Sequence, residues 1–217
     1  MPLVNRDVAI FDCDGVLVDS NQLKIDAIAE GLDAVGLDSS VIEGAVRSFT
    51  DNFGSTRKEH AKLWQEVCLD SFTPEVISDV FRRYSNVLAS TYINAAVIEE
   101  NAEYLNSFPG AIFVVSASEP STLRSVINRN FPKISDQRIF GGDVSKKYNL
   151  VKLKNSLRSS KCVYFGDSAQ DACSSLSAEV PFFGVSKYSA NPDLLKEICI
   201  QNSQKFGETC LDFKGGI

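Results

Sequence analysis

The fold of this chain is decided by the stretch Val8-Ala9-Ile10-Phe11-Asp12-Cys13-Asp14-Gly15-Val16-Leu17-Val18-Asp19-Ser20. Its first four residues form an apolar run short enough to be a buried β-strand, and two carboxylates and a glycine follow at once. Side chains of an extended segment alternate between faces, so Asp12 and Asp14 point the same way. Because ligands of open parallel α/β sheets bind beyond the carboxyl ends of the strands, the stretch predicts a site there.

Two neighbouring carboxylates repel each other unless a cation or a shared proton relieves the repulsion. Mg²⁺ prefers oxygen ligands and usually keeps several of its waters, so Asp12 and Asp14 predict a magnesium site. The alternative, a fragment of an EF-hand calcium loop, is disfavoured. Gly15 stands at the fourth position of such a loop rather than the sixth, and no glutamate stands at the twelfth.

The composition sets bounds on the class of protein. The chain has 217 residues, of which 44% are hydrophobic and 23% charged, as in ordinary globular proteins. A net charge of -6 without a basic stripe disfavours nucleic acid as a partner. The apolar runs are far shorter than the roughly 20 residues of a membrane helix, and no signal-peptide pattern opens the chain. We therefore expect a cytoplasmic protein with no membrane partner.

Cysteine and histidine chemistry is not expected. The six cysteines contain no C-x-x-C pair, which favours reduced thiols that pack as small apolar groups. His60 is the only histidine, and its charged surroundings from Thr56 to Lys62 predict a solvated helix face rather than a catalytic base.

The segment after the first strand is helical in pattern. Ser20 to Gly36, Ser40 to Phe49, Thr56 to Cys68 and Pro74 to Tyr92 each show apolar residues at helical spacing, and no strand is predicted among them. This predicts a helical domain over residues 16–92, inserted into a core domain of residues 1–15 and 93–217.

From Ile93 onwards, strand patterns alternate with helix patterns. Such alternation predicts an α/β fold with a doubly wound parallel sheet. The tail from Phe206 is expected to be loosely held. The predicted strands after the first are Ala111–Val115, Cys162–Phe165 and Phe182–Val185. The predicted helices cover 94–108, 120–130, 147–157, 193–201 and a stretch from about 169.

Polar residues follow several of these strands, at what must be one edge of the sheet. Ser116 and Asp167 each end a strand, and Asp171 lies one helical turn after Asp167. A lysine from the pair Lys146-Lys147 begins a helix nearby in sequence. Together with Asp12 and Asp14 these residues suit phosphoryl transfer. One carboxylate can attack phosphorus, a second carboxyl can move the proton, and the lysine and a metal can neutralise the phosphoryl oxygens.

The motifs resemble those of the haloacid dehalogenase (HAD) superfamily in its phosphatase form. The stretch from Phe11 to Ser20 resembles motif I, D-x-D-G; Ser116 resembles motif II; and Gly166-Asp167-Ser168-Ala169-Gln170-Asp171 resembles motif IV. The position of the helical insert is similar to the C1 cap of the branch that contains phosphoglycolate phosphatases and β-phosphoglucomutases. The resemblance implies a Rossmann-like core, a phosphoric monoester hydrolase activity and a small phosphorylated metabolite as substrate.

The resemblance also implies a role for each matching residue. Asp12 would be the nucleophile, Asp14 the general acid/base, and Ser116 a hydrogen-bond donor to the phosphoryl group. Mg²⁺ would be held by the Asp12 side chain, the Asp14 backbone carbonyl and the Asp167 side chain, with Asp171 as a further acid. Asp171 has a second interpretation, because its spacing from Ser168 also suits a helix capping box.

Motif III allows two assignments. We predict Lys147 as the lysine beside Asp12, because Leu150 and Val151 follow it at the spacing of a buried helix face. Lys146 remains the alternative, and neither lysine precedes the proline that often follows in this branch.

The cap residues are less specific. The turn from Asn52 to Arg57 resembles the substrate-specificity loop of the branch, so Arg57 could contact the leaving group or could be ordinary surface charge. Asn21 and Lys24 could also face the cleft. The alternative functions are a sugar phosphomutase, a phosphonate hydrolase that would use Lys24 as a Schiff base, and a non-catalytic binding protein.

Overall fold

The computed structural model describes residues 7–68, 70–157 and 161–214. Eight strands and nine helices lie within these residues. The strands are β1 (Val8–Phe11), β2 (Val18–Asp19), β3 (Ala96–Val97), β4 (Ala111–Val115), β5 (Ile139–Phe140), β6 (Cys162–Gly166), β7 (Phe182–Val185) and β8 (Lys205–Gly207). The helices are α1 (Asn21–Asp33), α2 (Ser39–Asp51), α3 (Arg57–Val67), α4 (Pro74–Thr91), α5 (Glu99–Ser107), α6 (Pro120–Asn130), α7 (Lys146–Leu157), α8 (Ala169–Ser177) and α9 (Pro192–Gln201).

Six strands form one parallel sheet in the order β5-β4-β1-β6-β7-β8, which confirms the predicted α/β fold. The strand β1 lies inside the sheet, and all four of its side chains are buried, as its unbroken apolar run predicts. Phe11 is paired with Val114 of β4 and with Phe165 of β6. The carboxyl ends of the three strands are therefore level, and the residues that follow them meet at one edge.

The helices α1 to α4 separate β1 from the rest of the sheet in sequence. Their starts follow local rules: Thr73 caps α4 ahead of Pro74, and Thr56 forms a capping box with Glu59 at the start of α3. Trp64 is the centre of their packing. Its ring stacks on Phe72 and Phe81, and its Nε1 donates to the Ala45 carbonyl.

A two-stranded antiparallel ribbon, β2 with β3, joins this helical segment to the sheet. The prediction of no strand between Asp19 and Ile93 agrees with the described residues. The helix predicted from Asn94 was wrong at its start, since β3 lies at 96–97 and α5 begins at Glu99. Two-residue strands are too short to show an alternating pattern, so the sequence carries no clear mark of them.

The expectation of a loose tail was also wrong for the described residues up to 214. The strand β8 pairs with β7, and the Phe213 ring packs edge-on against Phe165 and Phe183. The Cys210 backbone N–H donates to the Oδ1 of buried Asn101, and the Nδ2 of Asn101 donates to the Val16 carbonyl. One asparagine thus connects the last turn of the fold to the segment that follows Gly15.

The six cysteines are free thiols, as predicted, although Cys173 is exposed. His60 lies in the interior of the helical segment, 3% exposed, with its ring against Phe49 and near Trp64. The solvated face predicted around it therefore excludes His60 itself. Among the described residues, no helix has both the length and the apolar character needed to cross a membrane.

Candidate active site

The site begins where β1 ends. Asp12 is buried, its Oδ1 accepts a hydrogen bond of 2.7 Å from the Cys13 N–H, and the chain then turns at Gly15. Gly15 has a φ of +68°, and a Cβ on it would overlap the carboxylate of Asp167. Only glycine suits both the left-handed backbone and this close approach.

The structure places Lys146, and not the predicted Lys147, beside Asp12. Lys146 is 3% exposed, and its Nζ lies 2.7 Å from Asp12 Oδ2 and 2.6 Å from Asp171 Oδ1. Lys147 is exposed. The reason for the error is the helical register: Leu150, Leu153 and Leu157 are the buried leucines of α7, and they follow Lys146 at intervals of four, seven and eleven residues.

Two carboxylates balance the charge of Lys146. Although burial opposes its charge, Asp12 and Asp171 raise the pKa of Lys146 above its usual value. Burial likewise raises the pKa of Asp12 to about 7, against the opposing effect of Lys146, and the charges of Asp171 and Asp14 act in the same direction as burial. The site is thus short of positive charge around Asp12.

The arrangement of acids fits a divalent cation. Asp12, Asp167 and Asp171 each bring one carboxylate oxygen within 4.8 Å of the others. Burial, with the charges of Asp171 and Asp12, raises the pKa of Asp167 well above its usual range. The Oδ1 atom of Asp167 is buried without a hydrogen-bond partner. A hard cation such as Mg²⁺ would satisfy that oxygen and relieve the repulsion, so the residues present fit the metal.

Asp171 differs from the other two acids because each of its oxygens accepts two hydrogen bonds. Its Oδ1 accepts from Lys146 and from the Tyr164 hydroxyl at 2.6 and 2.5 Å, and its Oδ2 accepts from the hydroxyl and N–H of Ser168. Ser168 and Asp171 form the capping box of α8. Asp171 therefore orients Lys146 and also takes part in the cap of α8.

Asp14 lies in a separate polar pocket. Its Oδ1 accepts from the Ser20 hydroxyl at 2.6 Å, and its Oδ2 accepts from Ser118 at 2.7 Å and from Ser116 at 3.3 Å. The Lys24 ammonium lies 2.5 Å from the same oxygen. Burial alone would raise the pKa of Asp14, but Lys24 and the hydroxyls of Ser20 and Ser118 lower it to about 2. Asp14 is thus held as a carboxylate, the form that accepts a proton.

Ser116 follows β4 and is buried beside Asp14, as its strand-end position predicts. Lys24, which the sequence allowed either in the cleft or on the helix surface, lies beside Asp14. Ser118 and Tyr164 contribute contacts to the site that the sequence did not predict. Lys24 lies one helical turn after Ser20 and Ser118 lies two residues after Ser116, and these intervals are the only signs of their placement. Tyr164 lies inside the apolar strand β6, where the sequence predicts only a buried core residue.

The helical segment covers the site. Gly54, in the turn before α3, has a φ of +90°, and a Cβ there would overlap the Ser168 hydroxyl and lie 3.3 Å from Lys146 Nζ. A cavity of about 400 Å³ lies between α4 and the start of α6, and Lys24, Arg57, Tyr84, Tyr92, Ser118 and Glu119 line it. Arg57 donates to the Ser85 hydroxyl at 2.8 Å and lies over the Tyr84 ring. The structure thus brings Arg57 and Lys24 into one cavity.

The comparisons with known proteins agree with this geometry. The sequence profile of the haloacid dehalogenase-like hydrolases matches residues 9–185, and the chain belongs to this family. Among curated protein sequences there is no significant match.

Solved structures share the fold at low sequence identity. A hydrolase from Pseudomonas syringae is 17% identical, with a TM-score of 0.75 over 95% of both chains. A predicted phosphatase from Clostridium acetobutylicum is 15% identical, with a TM-score of 0.72 over 96% of this chain and 95% of its own. A predicted phosphoglycolate phosphatase from Haemophilus somnus is 16% identical, with a TM-score of 0.66 over 93% of both chains.

Proposed function

We propose that this haloacid dehalogenase-like hydrolase is a Mg²⁺-dependent phosphatase that hydrolyses a small phosphorylated metabolite through an aspartyl-phosphate. The observation that carries the proposal is the ion pair between buried Asp12 and Lys146, with Asp14 and Asp167 at the same edge of the sheet. This arrangement supplies a nucleophile, a proton carrier and an acidic cluster for the metal.

The first step is attack by a carboxylate oxygen of Asp12 on phosphorus. A bond forms between that oxygen and phosphorus, and the bond from phosphorus to the leaving oxygen breaks. The Lys146 ammonium, 2.7 Å from Asp12 Oδ2, keeps part of the Asp12 population ionised and therefore nucleophilic. Ser116 would donate to the phosphoryl oxygens. Mg²⁺ bound by Asp12 and Asp167, with the Asp14 carbonyl and Asp171 as further ligands, would supply positive charge to those oxygens.

The leaving oxygen takes a proton from Asp14 in its acid form. Before substrate binds, Lys24 keeps Asp14 ionised, but an anionic phosphoryl group nearby raises the pKa of a carboxyl group and favours its protonation. In the second step Asp14 takes a proton from water, and the water oxygen attacks phosphorus and displaces Asp12 as phosphate forms.

The size of the cavity supports a small substrate. Residues 16–92 would form the cap, residues 1–15 and 93–217 the core, and the leaving group would lie in the cavity of about 400 Å³ near the site. A volume of this size takes a small molecule such as a sugar phosphate or a phosphoglycolate-like acid. Arg57 and Lys24 would contact its hydroxyl or acidic groups.

The Schiff-base alternative is disfavoured by the state of Lys24. Burial opposes the charge of Lys24, yet Asp14 raises the pKa of Lys24 above its ordinary value. A protonated amine cannot attack a carbonyl carbon, so phosphonate cleavage would first require Lys24 to leave Asp14.

The test is a screen of phosphorylated metabolites with Mg²⁺, with release of inorganic phosphate as the readout. We expect at least one small substrate to be hydrolysed by the wild-type protein and not by Asp12→Asn. Asp26→Asn makes the same change at an exposed position on α1; it is the matched control and should retain activity. Wild-type turnover by Asp12→Asn would refute the mechanism. Isomerisation of a sugar 1-phosphate with a bisphosphate primer, without phosphate release, would show a phosphomutase instead.

A further inference from the structure

Asn21, the first residue of α1, contacts two parts of the core that are remote from it in sequence. Its side chain is buried, and its Nδ2 donates to Asp167 Oδ2 at 2.6 Å and to the Tyr188 carbonyl at 2.7 Å. A primary amide has two N–H donors, and here each has its own acceptor. The same side chain therefore joins the start of α1 to the residue that follows β6 and to the loop after β7.

This contact fixes which oxygen of Asp167 is free. The Oδ2 atom accepts the Asn21 hydrogen bond, whereas the Oδ1 atom is buried without any partner. Rotation of the carboxylate is restricted as well, because Gly15 lies so close that a Cβ on it would overlap both Asp167 Oδ2 and Asn21 Nδ2. The main-chain carbonyl of Asp167 is held separately by the Ser189 hydroxyl at 2.5 Å.

We propose that Asn21 is a positioning residue for the metal: it holds Asp167 Oδ2 by its amide so that Oδ1 remains directed at the cation. The inference rests on the Mg²⁺ site of the proposed function. Hydrogen bonds from neighbouring residues to metal-binding carboxylates fix their orientation, and their loss commonly weakens metal binding about 10–100-fold. An aspartate at position 21 could not replace this amide, because it would place an acceptor against two acceptors.

The experiment measures Mg²⁺ binding to the metal-free, full-length protein by isothermal titration calorimetry, without substrate. Asn21→Leu keeps the shape of the side chain and removes both donors. We expect its Kd for Mg²⁺ to rise about 10–100-fold. The Mg²⁺ concentration for half-maximal activity should rise by the same factor, while kcat at saturating Mg²⁺ should fall much less. Gln22→Leu, at the exposed neighbouring position, is the control and should bind Mg²⁺ as the wild type does.

A purely structural role would lower the stability of the metal-free protein and leave the Kd for Mg²⁺ unchanged. Binding by folded Asn21→Leu within twofold of the wild type would therefore overturn the proposal. If Asn21→Leu does not fold, Asn21→Ala, which is smaller and also lacks both donors, is measured against the same criteria. A wild-type protein that binds Mg²⁺ but hydrolyses no phosphate ester would refute the proposed function and leave this inference intact.

Discussion

Replacement of Lys146 by methionine, with Lys147→Met as its matched control, tests the centre of the site. The two lysines are adjacent in sequence, yet Lys146 is buried between Asp12 and Asp171 and Lys147 is exposed. Methionine keeps most of the length of the side chain and removes the charge. Any difference between the variants therefore reports the position of the ammonium group.

The magnitude follows from what Lys146→Met leaves behind. Asp12 and Asp171 would lose a cation at 2.7 and 2.6 Å, and breaking a buried ion pair costs about 3–5 kcal/mol of folding free energy. Burial already raises the pKa of Asp12 to about 7 with Lys146 present, so removal of the Lys146 charge raises the pKa of Asp12 further. From that starting value, the first further unit lowers the ionised fraction of Asp12 at pH 7 about fivefold, and each later unit lowers it about tenfold. We expect kcat to fall at least ~100-fold, in the range found when one electrostatic stabiliser is removed.

The assay is phosphate release at saturating Mg²⁺ from pH 6 to pH 9, with urea unfolding of each variant at pH 7. Lys147→Met should keep kcat within about twofold and stability within about 0.5 kcal/mol. The residual activity of Lys146→Met should increase as the pH is raised, because Asp12 then loses its proton. Loss of activity in Lys147→Met, with a fully active Lys146→Met, would refute the assignment and with it the register of α7.

Three further predictions concern other parts of the structure. Gly15→Ala should abolish activity and destabilise the fold by at least about 1–3 kcal/mol in urea unfolding, since the backbone of Gly15 is left-handed and a Cβ there would overlap Asp167. Gly44→Ala in α2, where a Cβ meets nothing within 4 Å, should instead stabilise the protein by about 0.5–1 kcal/mol in the same measurement. Burial, aided by the charge of Lys24, lowers the pKa of His60 from 6.5 to about 4, so the folded state resists protonation of His60 and the free energy of unfolding falls as the pH drops below 6.5. Between pH 7 and pH 5 the loss from this one group should be about 2 kcal/mol, and His60→Phe should lack that loss. Equal pH dependence of the free energy of unfolding in the two proteins would disprove the prediction. Chelation of divalent metals should stop phosphate release and Mg²⁺ should restore it, whereas unchanged activity in excess chelator would show that no metal is required.

The parts of the fold that sequence could predict are those marked by local pattern. β1 and β6 are unbroken apolar runs followed by polar residues. The helices of the insert have apolar residues at helical spacing, and α3 and α4 also begin at the capping threonines Thr56 and Thr73. Asp12, Asp14, Ser116 and Asp167 could be placed at one edge because parallel strands end at the same level. Their individual roles remain predictions.

The parts that were missed depend on contacts between distant residues. For Lys24 the sequence left open whether it faces the cleft or the solvent, and only the fold shows that Asp14 and Ser118 contact it in the interior. Adjacent residues of a helix point about 100° apart, so only one of Lys146 and Lys147 can share the buried face of α7. The structure shows which one, because Leu150, Leu153 and Leu157 are all buried on the face of Lys146. The strand β8 is only three residues long, too short for a strand pattern, and its position is set by its pairing with β7.

The hydrogen bonds that join Asn101 to Val16 and to Cys210 bear on the order in which the fold is completed during synthesis. The Val16 carbonyl is held by Asn101, 85 residues later in the chain, and Asn101 is held by Cys210, a further 109 residues later. β1 likewise pairs only with β4 and β6, and domains emerge from the ribosome with their N-terminal parts first. The loop that carries Asp12 and Asp14 is therefore made early, and it lacks its full support until Cys210 has been made.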